Sequence, residues 1–162
     1  MREPSRLVKK RGFWGLNFAA GCFGDGDTCP TLVTYGPRGK AIGMVELTTT
    51  EPERREAVEA TLVVGRELVA ADKGVHSYVL WWDGYLTLNG TRTDAVFCEA
   101  GVRGEENAFL FALRYAMRDE RLVKLGRPRL VLEVEPAFET PVLFSPSWKA
   151  NKSQGRKVKP RA

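Results

Sequence analysis

The stretch that decides the fold runs from residue 75 to residue 90 and reads VHSYVLWWDGYLTLNG. Its aromatic and β-branched residues favour strands. Asp83-Gly84 and Asn89-Gly90 are dipeptides typical of two-residue hairpin turns. The stretch therefore predicts a three-stranded meander, with strands over residues 77–82, 85–89 and 91–99.

A helix is predicted immediately before this meander. Thr50 and Glu53 have the spacing of a capping box, and Pro52 suits a first helical turn. Lys73 and Gly74 predict its end. Apolar residues recur between these ends at three- and four-residue steps, which indicates one buried face.

We expect the rest of the chain to form the elements that pack against this helix and meander. The remaining predicted elements are strands over residues 13–20, 31–35, 41–48 and 130–135 and an amphipathic helix over 105–120. The order βββα-βββ-αβ predicts an α+β fold with a mixed or mostly antiparallel sheet of about six or seven strands, two amphipathic helices and basic flexible termini.

Composition and charge divide the chain into three parts. The 162 residues suffice for one domain, and 43% hydrophobic and 28% charged content is that of a globular protein without a membrane span. The net charge of +5 is unevenly distributed: residues 2–11 carry +4, residues 149–161 carry +6, and residues 12–148 carry −5. We therefore expect a basic N-terminal arm (1–11), a single α+β domain (12–148) and a basic disordered C-terminal tail (149–162).

The basic termini indicate binding to a polyanion. Lysine and arginine arms neutralise phosphates and release counterions without reading bases. We expect a non-catalytic module that binds nucleic acid or a nucleoprotein assembly and needs no cofactor; the alternative is a structural subunit of a larger viral or cellular assembly, with a protein partner or a homo-oligomer. The expected contact residues are Lys9, Lys10, Arg11, Lys149, Lys152, Arg156, Lys157, Lys159 and Arg161.

Two weaker candidate sites involve other residue types. Asp25 and Asp27 in the Gly-Asp loop could hold a hard cation, although the spacing of an EF-hand loop is absent. His76 is the only histidine and Cys98 could act with it as a nucleophile. An odd number of cysteines without a C-x-x-C pair favours a reducing, cytoplasmic location.

The order of elements up to residue 83 resembles the ribonuclease H-like fold over about 70 residues, a family in which carboxylates hold two divalent metal ions for phosphodiester cleavage. The resemblance implies that Glu56 and Asp83 occupy two of the carboxylate positions. The first predicted strand offers Asn17 where the family has an acid. A metal-dependent nuclease is therefore a further alternative.

Overall fold

The computed structural model describes residues 1–26, 29–48, 55–138 and 157–160. Its elements are α1 (Arg6–Gly24), β1 (Thr31–Tyr35), β2 (Ala41–Glu46), α2 (Arg55–Ala71), β3 (Ser77–Leu88), β4 (Thr91–Val102), β5 (Ala108–Arg118), β6 (Arg121–Lys124), β7 (Arg129–Val134) and β8 (Lys157–Pro160).

The strands form one antiparallel sheet in the order β2-β1-β3-β4-β5-β6. Two long strands each pair with two partners along one edge. The first half of β3 pairs with β1 and the second half with β8, while β5 pairs with β7 and then with β6. The α+β class with an antiparallel sheet is thus confirmed. The strands predicted over residues 31–35, 41–48 and 130–135 correspond to β1, β2 and β7.

The helices cover opposite faces of the sheet, and each face has its own hydrophobic core. Adjacent residues of a strand point to opposite faces. Trp81 accordingly packs in the core under α1, and Trp82 packs in the core under α2. The two adjacent tryptophans are therefore divided between the two faces of the sheet.

The prediction of a strand over residues 13–20 is wrong, because these residues belong to helix α1. Ser5 caps the helix by accepting a hydrogen bond from the Val8 amide at 3.3 Å. The buried positions follow a helical period in which glycine and alanine replace large apolar residues. They are Val8, Gly12, Gly15, Leu16, Ala19, Ala20 and Phe23.

Glycine lets α1 lie close to the sheet. A Cβ on Gly12 would lie 2.5 Å from the ring of Phe111, and one on Gly15 would lie 2.6 Å from the Cys98 sulfur. The same device recurs in α2, where a Cβ on Gly65 would lie 2.8 Å from Leu47. The atoms closest to Gly65 belong to the side chains of Leu47 and Leu80.

The predicted helix over residues 105–120 is also wrong, because its centre is strand β5. Residues 108–113 are all buried, since β5 lies inside the sheet with a hydrophobic core on each of its faces. A strand buried on both faces loses the alternation of apolar and polar residues, and its apolar run imitates a helix. The observed order is therefore helix, two strands, helix and six strands, in place of the predicted βββα-βββ-αβ.

The predicted turn at Asp83-Gly84 lies in the middle of β3. These residues pair with Val96 and Ala95 of β4, and the Asp83 carboxylate accepts a hydrogen bond of 2.6 Å from the Tyr115 hydroxyl. The chain instead turns at Asn89 and Gly90, with φ angles of 50° and 79°. This second predicted turn therefore joins two strands of 12 residues each.

Part of the expected disordered tail forms β8, in which residues 157–160 pair with residues 84–87 of β3. The remainder of that tail, residues 149–156 and 161–162, lies outside the described residues, as does the predicted capping box of Thr50 and Glu53. Among the described residues, no helix is both long and apolar enough to cross a membrane.

Candidate functional site

The exposed side of α1 carries basic residues followed by aromatic residues. Arg6, Lys10, Trp14 and Phe18 stand at four-residue intervals, and all four are exposed. Residues four apart lie on neighbouring turns of one helix face. The helix therefore presents two cations and then two aromatic rings along one side, which we call the α1 stripe.

The aromatic half of the α1 stripe is held in place by ring contacts. The Trp14 ring stacks on Phe18 with centroids 5.1 Å apart. It meets Tyr35 of β1 edge to face at 6.2 Å and the buried Trp81 at 6.1 Å. Such contacts fix the orientation of a ring whose outer surface, at 40% exposure, remains open to solvent.

A cleft of about 590 Å³ lies between α1 and the β1–β2 hairpin. Its volume falls in the range of small-molecule sites. The lining contains two cations and no carboxylate, and it consists of Lys10, Arg11, Trp14, Val33, Tyr35, Ala41, Ile42, Gly43 and Met44. We call this the α1–β2 cleft.

Arg11 joins α1 to the hairpin at one end of the cleft. Its guanidinium lies 3.6 Å from the centroid of the Tyr35 ring and donates a hydrogen bond of 3.3 Å to the Gly39 carbonyl. The contact holds the β1–β2 turn, with exposed Arg38 and Lys40, beside the cleft. Burial raises the pKa of Tyr35, and the positive charge of Arg11 opposes that shift. The tyrosine therefore stays neutral, and the site has a net positive charge.

The Nε atom of Arg11 is buried and has no hydrogen-bond acceptor within the described residues.

The structure separates the basic residues predicted from the sequence. Lys9, in the first part of α1, forms an ion pair with Glu3 of the segment before the helix, whereas Lys10 and Arg11 line the cleft. Lys157 and Lys159 belong to β8. The other predicted contacts, Lys149, Lys152, Arg156 and Arg161, lie outside the described residues.

Glu56 and Asp83 are not brought together. Glu56 is exposed on α2, which covers the face of the sheet to which Leu80 and Trp82 point. Asp83 is 5% exposed and points to the opposite face, the one under α1, by the alternation of β3. Asn17, on α1, accepts a hydrogen bond of 2.7 Å from Lys124. The geometry therefore provides no pair of carboxylates from these positions for two metal ions.

His76 and Cys98 are also apart. Cys98 pairs with Trp81, whereas His76 immediately precedes the pair of Ser77 and Val102. Five residues along a strand span about 16 Å at roughly 3.3 Å per residue. Cys98 is fully buried, and burial raises the pKa of its thiol, which keeps it protonated and unreactive.

The predicted cation site gains no support from the described residues. Asp25 is exposed at the end of α1, and Asp27 lies outside the described part of the chain. No group of three histidine, cysteine, aspartate or glutamate side chains close enough to hold a metal ion occurs among the residues that are described.

A buried ionic network under α2 was missed in the sequence. Arg66 donates a hydrogen bond to one oxygen of the Glu99 carboxylate, and the Tyr78 hydroxyl donates to the other. Arg66 also donates to the Glu135 carbonyl at 2.6 Å, and the Ala137 amide donates to the Tyr78 hydroxyl at 3.2 Å.

This network links α2 to β4 and to the chain after β7. Because its side chains are fully buried, we assign it a structural role and not a binding role. Burial raises the pKa of Glu99, and the charge of Arg66 opposes that shift. A sequence signal existed, because Arg66 occupies a position in the apolar stripe of α2, four residues after Leu62.

Comparisons with known proteins give no family. No family model, curated protein or solved structure matches the chain.

Proposed function

We propose that this protein is a non-catalytic binding module for single-stranded nucleic acid and that the α1–β2 cleft is its contact surface. The observation that carries the proposal is the α1 stripe beside a cleft whose lining has two cations and no carboxylate. Proteins that hold single strands combine a positive groove for phosphates with aromatic rings on which bases stack.

The phosphates would contact the basic end of the site. Lys10 and Arg11 line the cleft, while Arg6, Arg38 and Lys40 stand exposed around it. If about five phosphates are neutralised, the logarithm of the binding constant falls with the logarithm of salt concentration with a slope of about −3.5. Binding should therefore weaken steeply as salt is added.

The bases would contact Trp14 and Phe18. A flexible single strand can place its phosphates on the first turns of α1 and a base on Trp14, because the two parts of the stripe are one helical turn apart. A duplex offers no unstacked base to these rings. We therefore expect weak sequence preference and stronger binding to single strands than to duplexes.

The basic tail contributes long-range attraction in this proposal, and β8 brings two of its lysines to the edge of β3. A cytoplasmic location belongs to the same proposal, since nucleic acid is accessible there and thiols remain reduced.

The test is fluorescence anisotropy with labelled single-stranded RNA and DNA, the matched duplex, and polyphosphate as a polyanion without bases, across a series of salt concentrations. Trp14→Ala should weaken binding to single strands about 5- to 100-fold by loss of stacking and leave polyphosphate binding unchanged. Lys10→Glu should weaken binding to both polymers and reduce the magnitude of the salt slope for single strands by at least about 0.7, the value of one phosphate contact.

Two matched controls separate the site from general effects. Phe13 lies on the same helix with 39% exposure, but it does not line the cleft, so Phe13→Ala tests the loss of any exposed ring. Arg121 is exposed on β6, so Arg121→Glu tests the change of net charge. If each control weakens binding as much as its counterpart, or the unaltered chain binds no single strand, the proposal is wrong.

A further inference from the structure

The α1–β2 cleft is closed at one end. Arg11 reaches from α1 to the β1–β2 turn, where its guanidinium donates a hydrogen bond of 3.3 Å to the Gly39 carbonyl and lies 3.6 Å from the centroid of the Tyr35 ring. The turn is also hydrogen-bonded within itself, since the Gly36 amide donates to the Lys40 carbonyl at 2.9 Å. A polymer chain can therefore enter the cleft by its end, but it cannot pass through the cleft at this point.

Positive charge is concentrated at the closed end. Lys10 and Arg11 line the cleft, and Arg38 and Lys40 are exposed in the adjoining turn. Among the described residues, no ion pair engages Lys10, Arg38 or Lys40. These cations are therefore available to an anion in the cleft. A phosphate group with one ester bond carries about −1.5 to −2 at pH 7, more than a diester inside a strand, so the closed end favours a terminal phosphate.

A β-bulge shapes the wall of the cleft on the β2 side. Thr34 and Tyr35 of β1 pair with Gly43 and Ala41, so Ile42 is an extra residue in β2. Bulges re-aim side chains and are frequent next to binding sites. Here the bulged residue and its two neighbours all line the cleft. The bulge therefore broadens the apolar wall beside the cations.

The two walls suit one planar ring. Trp14 of α1, 40% exposed, lines the cleft from one side, and Ile42 and Met44 of β2, each 54% exposed, line it from the other. The volume of about 590 Å³ is that of a site for one small molecule. The cleft thus has room for a single nucleotide, with its base between apolar walls and its phosphate at the closed end.

We propose that the α1–β2 cleft holds the terminal nucleotide of a single strand and prefers an end that carries a phosphate group. The terminal phosphate binds Lys10 and Arg11, its base lies against Trp14, and the strand leaves past Phe18. An internal part of a strand fits less well, because it must leave the cleft in both directions. This inference rests on the proposed function and names the part of the strand that the site takes.

The test is competition against an internally labelled single strand at fixed salt, followed by fluorescence anisotropy. The competitors are unlabelled oligothymidylates of one length with a 5′ phosphate, a 3′ phosphate or hydroxyl groups at both ends, and the same oligomer closed into a circle. The circle and the singly phosphorylated strands contain equal numbers of phosphate groups. One phosphorylated end should compete about tenfold better than hydroxyl ends, by the gain of a charge-assisted hydrogen bond, and the circle should compete worst.

Variants locate the preference. Lys10→Gln should reduce the ratio of affinities for phosphorylated and hydroxyl ends. Arg11→Gln removes the contact that closes the cleft, so it should also bring the affinity for the circle closer to that for linear strands. The matched control is Lys9→Gln, since Lys9 pairs with Glu3 and does not line the cleft, and it should leave the ratio unchanged. Circular dichroism verifies that each variant is folded.

The outcomes separate this inference from the proposed function. A preference for either phosphorylated end supports the inference and identifies the end that binds. Equal competition by all four oligomers would overturn the inference and leave the proposed function standing, since the chain would still bind single strands. A preference that Lys9→Gln reduces as much as Lys10→Gln does would also overturn it. If the labelled strand does not bind at all, both proposals are wrong.

Discussion

The close approach of α1 to the sheet predicts opposite effects of one substitution at three glycines of the same helix. A Cβ added at Gly12 or Gly15 would meet Phe111 or Cys98 at 2.5 or 2.6 Å, whereas a Cβ at Gly21 would meet nothing within 4 Å. Replacing glycine by alanine therefore adds a methyl group to a packed site at Gly12 and Gly15 and to an unoccupied one at Gly21.

The magnitudes follow from two opposing terms. Alanine stabilises a helix by about 1 kcal/mol relative to glycine. Forcing a methyl group into a packed core typically costs about 1–3 kcal/mol. Gly21→Ala should therefore raise the free energy of unfolding by about 0.5–1 kcal/mol, while Gly15→Ala should change it by between about 0 and −2 kcal/mol.

Urea unfolding followed by circular dichroism measures these values, with equal m-values required for the comparison. The double variant Gly15→Ala with Cys98→Ala supplies the control, because removal of the Cys98 sulfur opens the space that the new methyl group needs. Its free energy of unfolding should exceed the value expected if the two single effects were additive. If Gly15→Ala stabilises the protein as much as Gly21→Ala does, the helix does not pack on the sheet as described.

Three further predictions concern the core and the tail. Arg66→Met should lower the free energy of unfolding by about 3–5 kcal/mol, because it leaves the Glu99 carboxylate buried without its cation; chemical denaturation measures the loss, and a change within about 0.5 kcal/mol would contradict it. Since burial raises the pKa of Cys98 above its ordinary value near 9, its thiol stabilises the fold below pH 9 and that contribution is lost as the pH rises above 9. The loss is up to about 1.4 kcal/mol per pH unit, so the slope of stability against pH from 9 upward should be shallower in Cys98→Ala, and equal slopes would refute this. Deleting residues 157–162 removes β8 and uncovers the backbone of Gly84–Thr87, so the truncated chain should unfold at lower urea concentration and aggregate sooner on heating, and unchanged behaviour would show that β8 does not stabilise the sheet.

Local signals predicted several elements well because tertiary structure agreed with them. Asn89 and Gly90 both adopt positive φ, which their residue types favour, and the helical stripe of α2 packs on the sheet as its period indicates. Asp83-Gly84 carries an equally strong turn signal. It was overridden because β4 continues to pair beyond it and Tyr115 satisfies the aspartate.

The two wrong elements have a common physical cause, since both are apolar segments whose period is ambiguous. Four of the seven buried positions of α1 are glycine or alanine, which carry little hydrophobic signal, while the aromatic residues Phe13, Trp14 and Phe18 lie on exposed positions. The exposed aromatic residues therefore dominate the apolar pattern of this segment and hide the helical period of its buried positions. Strand β5 was mistaken in the opposite direction, as a helix. A strand buried on both faces has apolar residues at consecutive positions and therefore shows no period of two.

The candidate site was predictable only in part. Lys10 and Arg11 were predicted as contact residues, and both line the cleft. The cleft itself depends on α1 lying beside the β1–β2 hairpin, a contact that no local pattern specifies. The spacing of Arg6, Lys10, Trp14 and Phe18 would have been visible once the segment was recognised as a helix.

The most direct test of the central claim is ultraviolet crosslinking of the full-length chain to a short oligothymidylate, followed by trypsin digestion and mass spectrometry. Trypsin should release residues 12–38 as one peptide, which contains Trp14, Phe18 and Tyr35. The account predicts crosslinks on this peptide, localised to Trp14 or Phe18, that disappear in Trp14→Ala or at high salt. Crosslinks confined to other peptides, with none in residues 12–38, would contradict it.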